Sequence, residues 1–215
     1  DELASTYDAN RFANTYGSYI HRQEVKVLQK YLSDSDFSEN IDLACGTGRF
    51  LPFADHGADI SIKMVEQAQL KFPNKTITVA QANQLPFEDN QFQNCTCFHL
   101  FMHLNSELFG SILDEQKRVL GKGGLFIFDV PSIRRRSLSS RKSDSWHASH
   151  QESIASIKKH IGSEWDLVNY HGVAFFPIHK IPARVRKFFT GLDNLLSNSI
   201  FKEFSSHLII ILKKK

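Results

Sequence analysis

The residues best equipped for chemistry in this chain are concentrated in Asn40-Ile41-Asp42-Leu43-Ala44-Cys45-Gly46-Thr47-Gly48, where an acid stands just ahead of two glycines spaced two apart. Ile41 and Leu43 read as a buried strand, the glycines as a turn, and the residues after them as a new amphipathic segment. This is the strand-loop-helix unit that opens a nucleotide-binding α/β domain. Glycines at this spacing let the backbone pass close under a ligand with no Cβ in the way. The dinucleotide fingerprint requires a third glycine three residues further on, where Leu51 stands, so close pyrophosphate binding is disfavoured. The loop is suited to a ligand other than a dinucleotide.

Asp42-Leu43-Ala44-Cys45-Gly46-Thr47-Gly48 resembles the first motif of the class I S-adenosylmethionine (SAM) dependent methyltransferases, with Ala44 where that family more often has glycine. Asp59-Ile60-Ser61, Leu85-Pro86-Phe87 and Arg118-Val119-Leu120-Gly121-Lys122-Gly123-Gly124 match further family segments in the same order. One glycine loop is weak; four ordered segments, across roughly residues 12–131, are specific. The resemblance implies an α/β fold, Rossmann-like and doubly wound. Its sheet would be mostly parallel and seven-stranded, with the last strand antiparallel and helices on both faces; in this chain the brief link from Arg49 to Asp59 would shorten the second strand. All of residues 1–215 would form one methyltransferase domain, with 1–38 as an N-terminal helical lid.

The same resemblance implies SAM as cofactor and S-adenosylhomocysteine as product. Ala44, Cys45, Gly46 and Gly48 would lie under the methionine part, with Asp42 near its ammonium group. Asp59 would accept hydrogen bonds from both ribose hydroxyls, or alternatively cap a helix, and Ile60 and Met64 would flank it. Gln81, Ala82 and Asn83 would form the adenine-side loop; Gln81 replaces the usual Asp, but an amide still donates and accepts. Gln93 is a second such replacement. Cys97, Phe98 and His99 should face the crevice at the carboxyl edge of the fourth strand, Phe98 covering the ligand or packing in the core. His103, in the family's His-Leu pair, is the candidate catalytic base toward an acceptor, or a helix cap. Tyr7 and Tyr16 would sit on the cofactor as lid residues, or pack on the sheet edge.

Helical spacing of Ile20, Val27, Leu28 and Leu32 predicts a helix over 11–32, followed by a polar loop. Only about ten residues separate Arg49 from Asp59, half the ordinary distance of roughly 20 to the ribose acid. Leu51 to Ala54 can make a short helix stopped by Gly57, leaving Ala58 to Ile60 as the second strand. A natural deletion, a splice variant and missing residues would each explain this gap. Further elements are a helix from Ile62 to Phe72, a strand at Thr76 to Ala80, and a helix from Ser106 to Leu120 stopped by Gly121. Leu125 to Val130 reads as a central strand. Residues 132–150, basic and serine-rich, read as a flexible insert. Ile154, Ile157 and Ile161 restart helical spacing, Trp165 to Val173 forms a strand, and an apolar stripe follows Pro182. Phe175, Phe176 and Pro177 would line an acceptor pocket or pack in the core. Ser206 to Leu212 is a last buried strand before a solvated Lys213 to Lys215 tail.

A net charge of +3, from 26 basic and 23 acidic residues, gives no global field of the kind a dedicated nucleic-acid binder carries. Nucleic acid is not an expected partner. Cys45, Cys95 and Cys97 form no paired motif, so reduced buried thiols and no metal site are expected. No apolar run approaches the roughly 20 residues that span a bilayer, and no signal peptide is evident, so the cytoplasm is the expected location. The implied function is methyl transfer from SAM to a small-molecule acceptor by in-line displacement, with O-, N- and C-methylation all open and the oligomeric state unset. Two alternatives are a SAM-binding protein without turnover, suggested by the short link and the two Gln replacements, and an RNA methyltransferase using the arginine-serine insert.

Overall fold

A computed structural model describes residues 14–137 and 151–215. Its centre is a seven-stranded sheet in the order β3-β2-β1-β4-β5-β7-β6. The strands are β1 (Asn40–Leu43), β2 (His56–Asp59), β3 (Thr76–Val79), β4 (Phe92–Cys97), β5 (Leu120–Pro131), β6 (Trp165–Val173) and β7 (His207–Lys214). The first five are parallel, and β7 runs antiparallel to both β5 and β6. The α/β class, mostly parallel sheet and antiparallel last strand are as the sequence implied.

Side chains alternate across a strand, so β5 faces two cores at once. Phe126 and Phe128 point into a cluster with Phe109 and Ile112, while Ile127 joins Tyr19, Leu28, Ile209 and Ile211 on the other side. Helix α1 (Thr15–Leu32) covers that second face. On the first lie α3 (Ser106–Val119) and α5 (Ile154–His160); α2 (Ile62–Lys71) packs beside β3. Side-chain caps start these helices. Asn14 accepts from the amides of Tyr16 and Gly17, Ser61 from Met64, and Asn105 from Leu108; Ser153 and Ser156 form a reciprocal box.

Several expected boundaries move, each for a local reason. The first described helical residue is Thr15; the expected residues 11–13 and Tyr7 lie outside the described residues. Strand β2 begins at His56 and ends before Ile60, which is exposed. Gly57 is therefore a strand residue opposite Asp42 and not a helix stop. A Cβ there would lie 3.1 Å from both Cys45 Sγ and a Leu51 methyl, so its absence lets the single 3-10 turn Leu51–Phe53 pack directly on the sheet. The short link thus costs the crossover its helix while the β1/β2 pairing is kept.

Helix α3 ends at Val119, and the chain passes straight into β5 with Gly121 inside the strand. The beginning of the basic insert is a short helix, α4 (Ile133–Ser137), anchored by Arg134 to Glu203 at 2.9 Å, and so is not a flexible loop; residues 138–150 lie outside the described residues. Lys213 and Lys214 belong to β7 and are no tail: Lys214 Nζ donates to the Leu120 carbonyl at 2.6 Å.

On β6, Gly172 meets the segment that leads into β7. A Cβ there would come within 2.2 Å of Ser205 Oγ and 2.8 Å of the Ser197 carbonyl oxygen. Gly172→Ala is expected to cost about 1–3 kcal/mol through overpacking, read as a lower Tm in thermal unfolding. An unchanged Tm would show that this contact yields.

Candidate active site

Three features turn the chain at the end of β1. Ala44 and Gly46 take φ of 53° and 54°, and Gly48 takes 89°. The left-handed conformation of Ala44 is one that glycine adopts with less strain. The two glycines then differ. Around the Cβ position of Gly46 there is open space, whereas at Gly48 that position lies 2.8 Å from the Phe72 ring and 2.9 Å from Leu51. Gly46 therefore borders a cavity, and Gly48, expected under a ligand, instead allows the loop to pack on the residue that ends α2.

Two adjoining cavities open at the carboxyl edge of the sheet. One, of about 260 Å³, is bounded by Asp42, Cys45, Gly46, Met64, Phe98 and His99, with Arg49 and His103 on its wall. The other, of about 240 Å³, is bounded by Ile60, Gln81, Ala82, Asn83 and Leu104. Ala44, Asp59 and Leu100 border both. Asp59 is thus at the junction: its Oδ2 accepts from the Gly46 amide at 2.8 Å and its Oδ1 from the Ser61 amide at 2.9 Å. Each carboxylate oxygen keeps a further lone pair for a ligand.

Asp42 is 2% exposed, with Oδ1 accepting from Thr96 Oγ1 at 2.7 Å and Oδ2 without a hydrogen-bond partner among the described residues. Burial pushes its pKa up to about 7, against the Thr96 bond, which lowers it. An unpaired oxygen in such a place is complementary to a cationic ligand group.

A third cavity, of about 140 Å³, lies beyond His99 and is bounded by Tyr16, Glu24, Met102, Asp129 and His207. Tyr16 belongs to this cavity and does not line the two larger ones. Cys97 lines none of the three: it is wholly buried opposite Leu43 and Phe128, and burial drives its thiol pKa far up. Phe98 both borders the first cavity and packs in the core, its ring 4.5 Å from that of Phe50. Phe175, Phe176 and Pro177 border none of these cavities; Phe176 packs against the α1 face.

Between the first and third cavities sits a buried ionic cluster that sequence reasoning missed. Glu24 of α1 accepts from Arg49 Nη1 at 2.5 Å and pairs with His99 Nε2 at 2.8 Å. Asp129 Oδ1 accepts from the His99 amide at 2.6 Å, and its Oδ2 is 4.0 Å from His99 Nδ1. Burial alone would raise Glu24 strongly, yet His99 and Arg49 hold it at about 2. Burial would lower His99, but Glu24 and Asp129 outweigh it and raise its pKa. His99 also carries a φ of 61°, backbone strain of the sort that gathers at functional sites. Asp129 had a signal, as the lone acid in an apolar strand; Glu24 had none, since an acid on a helix is ordinarily solvated.

Residues 41–128 match the family model described as a methyltransferase domain. The chain is 37% identical over 135 residues to an uncharacterised protein of Methanocaldococcus jannaschii, covering 62% of this chain and 50% of that one. It is 33% identical over 134 residues to the ubiquinone/menaquinone biosynthesis C-methyltransferase of Desulfotalea psychrophila, covering 58% and 53%. The chain thus spans about half the length of the curated relatives it matches. Its fold is similar to that of a S-adenosylmethionine-dependent methyltransferase from Clostridium acetobutylicum, with a TM-score of 0.68, 15% identity and coverage of 99% and 98%. Residues 41–128 thus match a methyltransferase domain, and the fold around them is that of solved S-adenosylmethionine-dependent methyltransferases.

Proposed function

We propose that the two joined cavities bind SAM and that its methyl group passes to a small molecule seated in the third. The observation that carries this reading is the buried, unpartnered Oδ2 of Asp42 on the wall beside Gly46, a complement for the ligand's ammonium group. Asp59, at the junction, has lone pairs for the ribose hydroxyls, and Gln81, Ala82 and Asn83 border the adenine side. The short β1/β2 link leaves Asp59 at that junction, which favours a working cofactor site over an inactive one.

When bound, SAM supplies a methyl group already activated by its sulfonium. The chain's own residues then need only align the acceptor and exclude water. Asp129 borders the third cavity and is placed to accept from a hydroxyl or amine of the acceptor and take its proton, while His99, which borders both the first and the third cavity and is paired with Glu24, is placed to orient the acceptor. His103 borders only the first cavity, which leaves it a lesser claim as general base. A small acceptor is supported by the third cavity's size and by the named quinone-pathway activity of one relative.

Calorimetry with S-adenosylhomocysteine tests the cofactor site. One-to-one binding is expected, and Asp59→Ala should weaken it about tenfold or more, the loss of charged hydrogen bonds; wild-type affinity in that variant would remove Asp59 from the site.

Binding should also depend on pH. Below about 7 the free protein holds Asp42 protonated and neutral, and the ligand's ammonium group requires the carboxylate. Affinity should therefore rise as pH climbs through about 7 and level off above it, with proton release on binding. Asp42→Asn keeps the Thr96 contact and should flatten that profile. An identical slope in wild type and variant would dissociate Asp42 from the ammonium group.

A further inference from the structure

Helix α6 (Ala183–Ser197) is packed inside out. A surface helix ordinarily turns its apolar stripe to the core and its polar face to water. In α6 the fully buried positions are Asp193 and Ser197. Asp193 anchors the helix, accepting from the Tyr19 hydroxyl and from the Phe176 amide, both at 2.6 Å. The outward side carries Val185, Phe188, Phe189, Leu192 and Leu195 at helical spacing, Phe188 being 73% and Leu195 66% exposed. The band continues past the helix through Ile200, 88% exposed, and Phe201. Isolated exposed apolar residues are ordinary, but a continuous band of this length marks a docking surface.

Charge identifies what it docks on. From Ile178 to Lys202 the cations are Lys180, Arg184, Arg186, Lys187 and Lys202, and the one acid is the buried Asp193. Lys180, Arg184 and Lys187 are exposed. Arg186 and Lys202 bond to backbone carbonyls, so this segment offers exposed Phe and Leu side chains together with three exposed cations and no exposed acid. That is the composition of a helix lying in the headgroup layer of an anionic bilayer, with its apolar face at the acyl boundary and its cations on phosphates. No helix among the described residues is long and apolar enough to cross a membrane, so the contact is peripheral.

We propose that α6 and the turn after it seat the domain on an anionic lipid surface. The seat lies next to the third cavity. Tyr19 ties α6 to α1, and the Tyr16 ring, which borders the cavity, meets that of His179 edge-on at 5.5 Å just ahead of α6. An acceptor dissolved in the bilayer would reach the cavity along this side.

Co-sedimentation of the full chain with large unilamellar vesicles tests the proposal. Phosphatidylglycerol in phosphatidylcholine should bind the protein, with affinity falling as salt is raised, and phosphatidylcholine alone should bind it at least tenfold more weakly. A Phe188→Ser, Leu192→Ser, Leu195→Ser variant and an Arg184→Glu, Lys187→Glu variant should each reduce binding at least tenfold. Both alter exposed positions, so their Tm should stay that of the parent. No binding of the parent to anionic vesicles would overturn the proposal, as would equal binding to neutral ones or undiminished binding by folded variants. Self-association in the ultracentrifuge that the serine variant abolishes, without vesicle binding, would assign the face to a second copy and overturn it too.

Discussion

The grip of Asp59 on the Gly46 amide is the interaction on which the site's geometry depends. A glycine loop is adaptable in isolation, and the link to β2 here has only one 3-10 turn to stiffen it. The carboxylate closes that gap. It ties the loop after β1 to the end of β2 and, through the Ser61 amide, to the start of α2. Two backbone donors that would otherwise lack a partner are satisfied by charge-assisted bonds, which are stronger than neutral ones. The open space over Gly46 and the junction between the two cavities both follow from this clamp.

The second constraint is the ionic cluster joining α1 to the sheet. A buried pair of charges gains little net stability over an apolar replacement, yet loses much when one member is removed. Glu24, Arg49, His99 and Asp129 therefore act more as a register device than as glue, fixing where α1 lies over the strand ends. Their linkage to pH has two opposite signs. The depressed Glu24 contributes stability that is present above its unfolded value of 4.5 and lost as pH falls through about 2. The raised His99 contributes stability that is present below 6.5 and lost as pH rises through its higher folded value. The cluster is thus at full strength between those two unfolded values. Asp42 works the other way from Glu24: its raised pKa favours the folded state at low pH, and that advantage is lost as pH rises through about 7. The group that destabilises the free protein at neutral pH is the one suited to a cationic ligand.

Much of the cavity wall was legible because it rests on local chemistry. Gly46, Asp42 and Asp59 announce themselves by residue type and spacing, and Gln81 to Asn83 by their place after a short β-branched strand. Gly48 and Cys97 were misplaced for one reason: the sequence shows that a residue lies at a strand end or in a turn, but not which neighbour occupies the space beside it. Phe72 fills that space at Gly48, and the two flanking strands enclose Cys97.

The chain's local pattern determined the strand-loop unit, the run of parallel strands and the helix starts, since apolar periodicity and capping act over a few residues. Tertiary structure alone decided that Glu24 meets Arg49 and His99, that Tyr16 borders the third cavity, and that α6 turns its apolar face outward. The last of these is fixed by a hydroxyl and a carboxylate 174 positions apart, Tyr19 and Asp193. An amphipathic pattern states that a helix has two faces. Which face is buried depends on the partners the rest of the fold presents, and here the partner offered is a polar one.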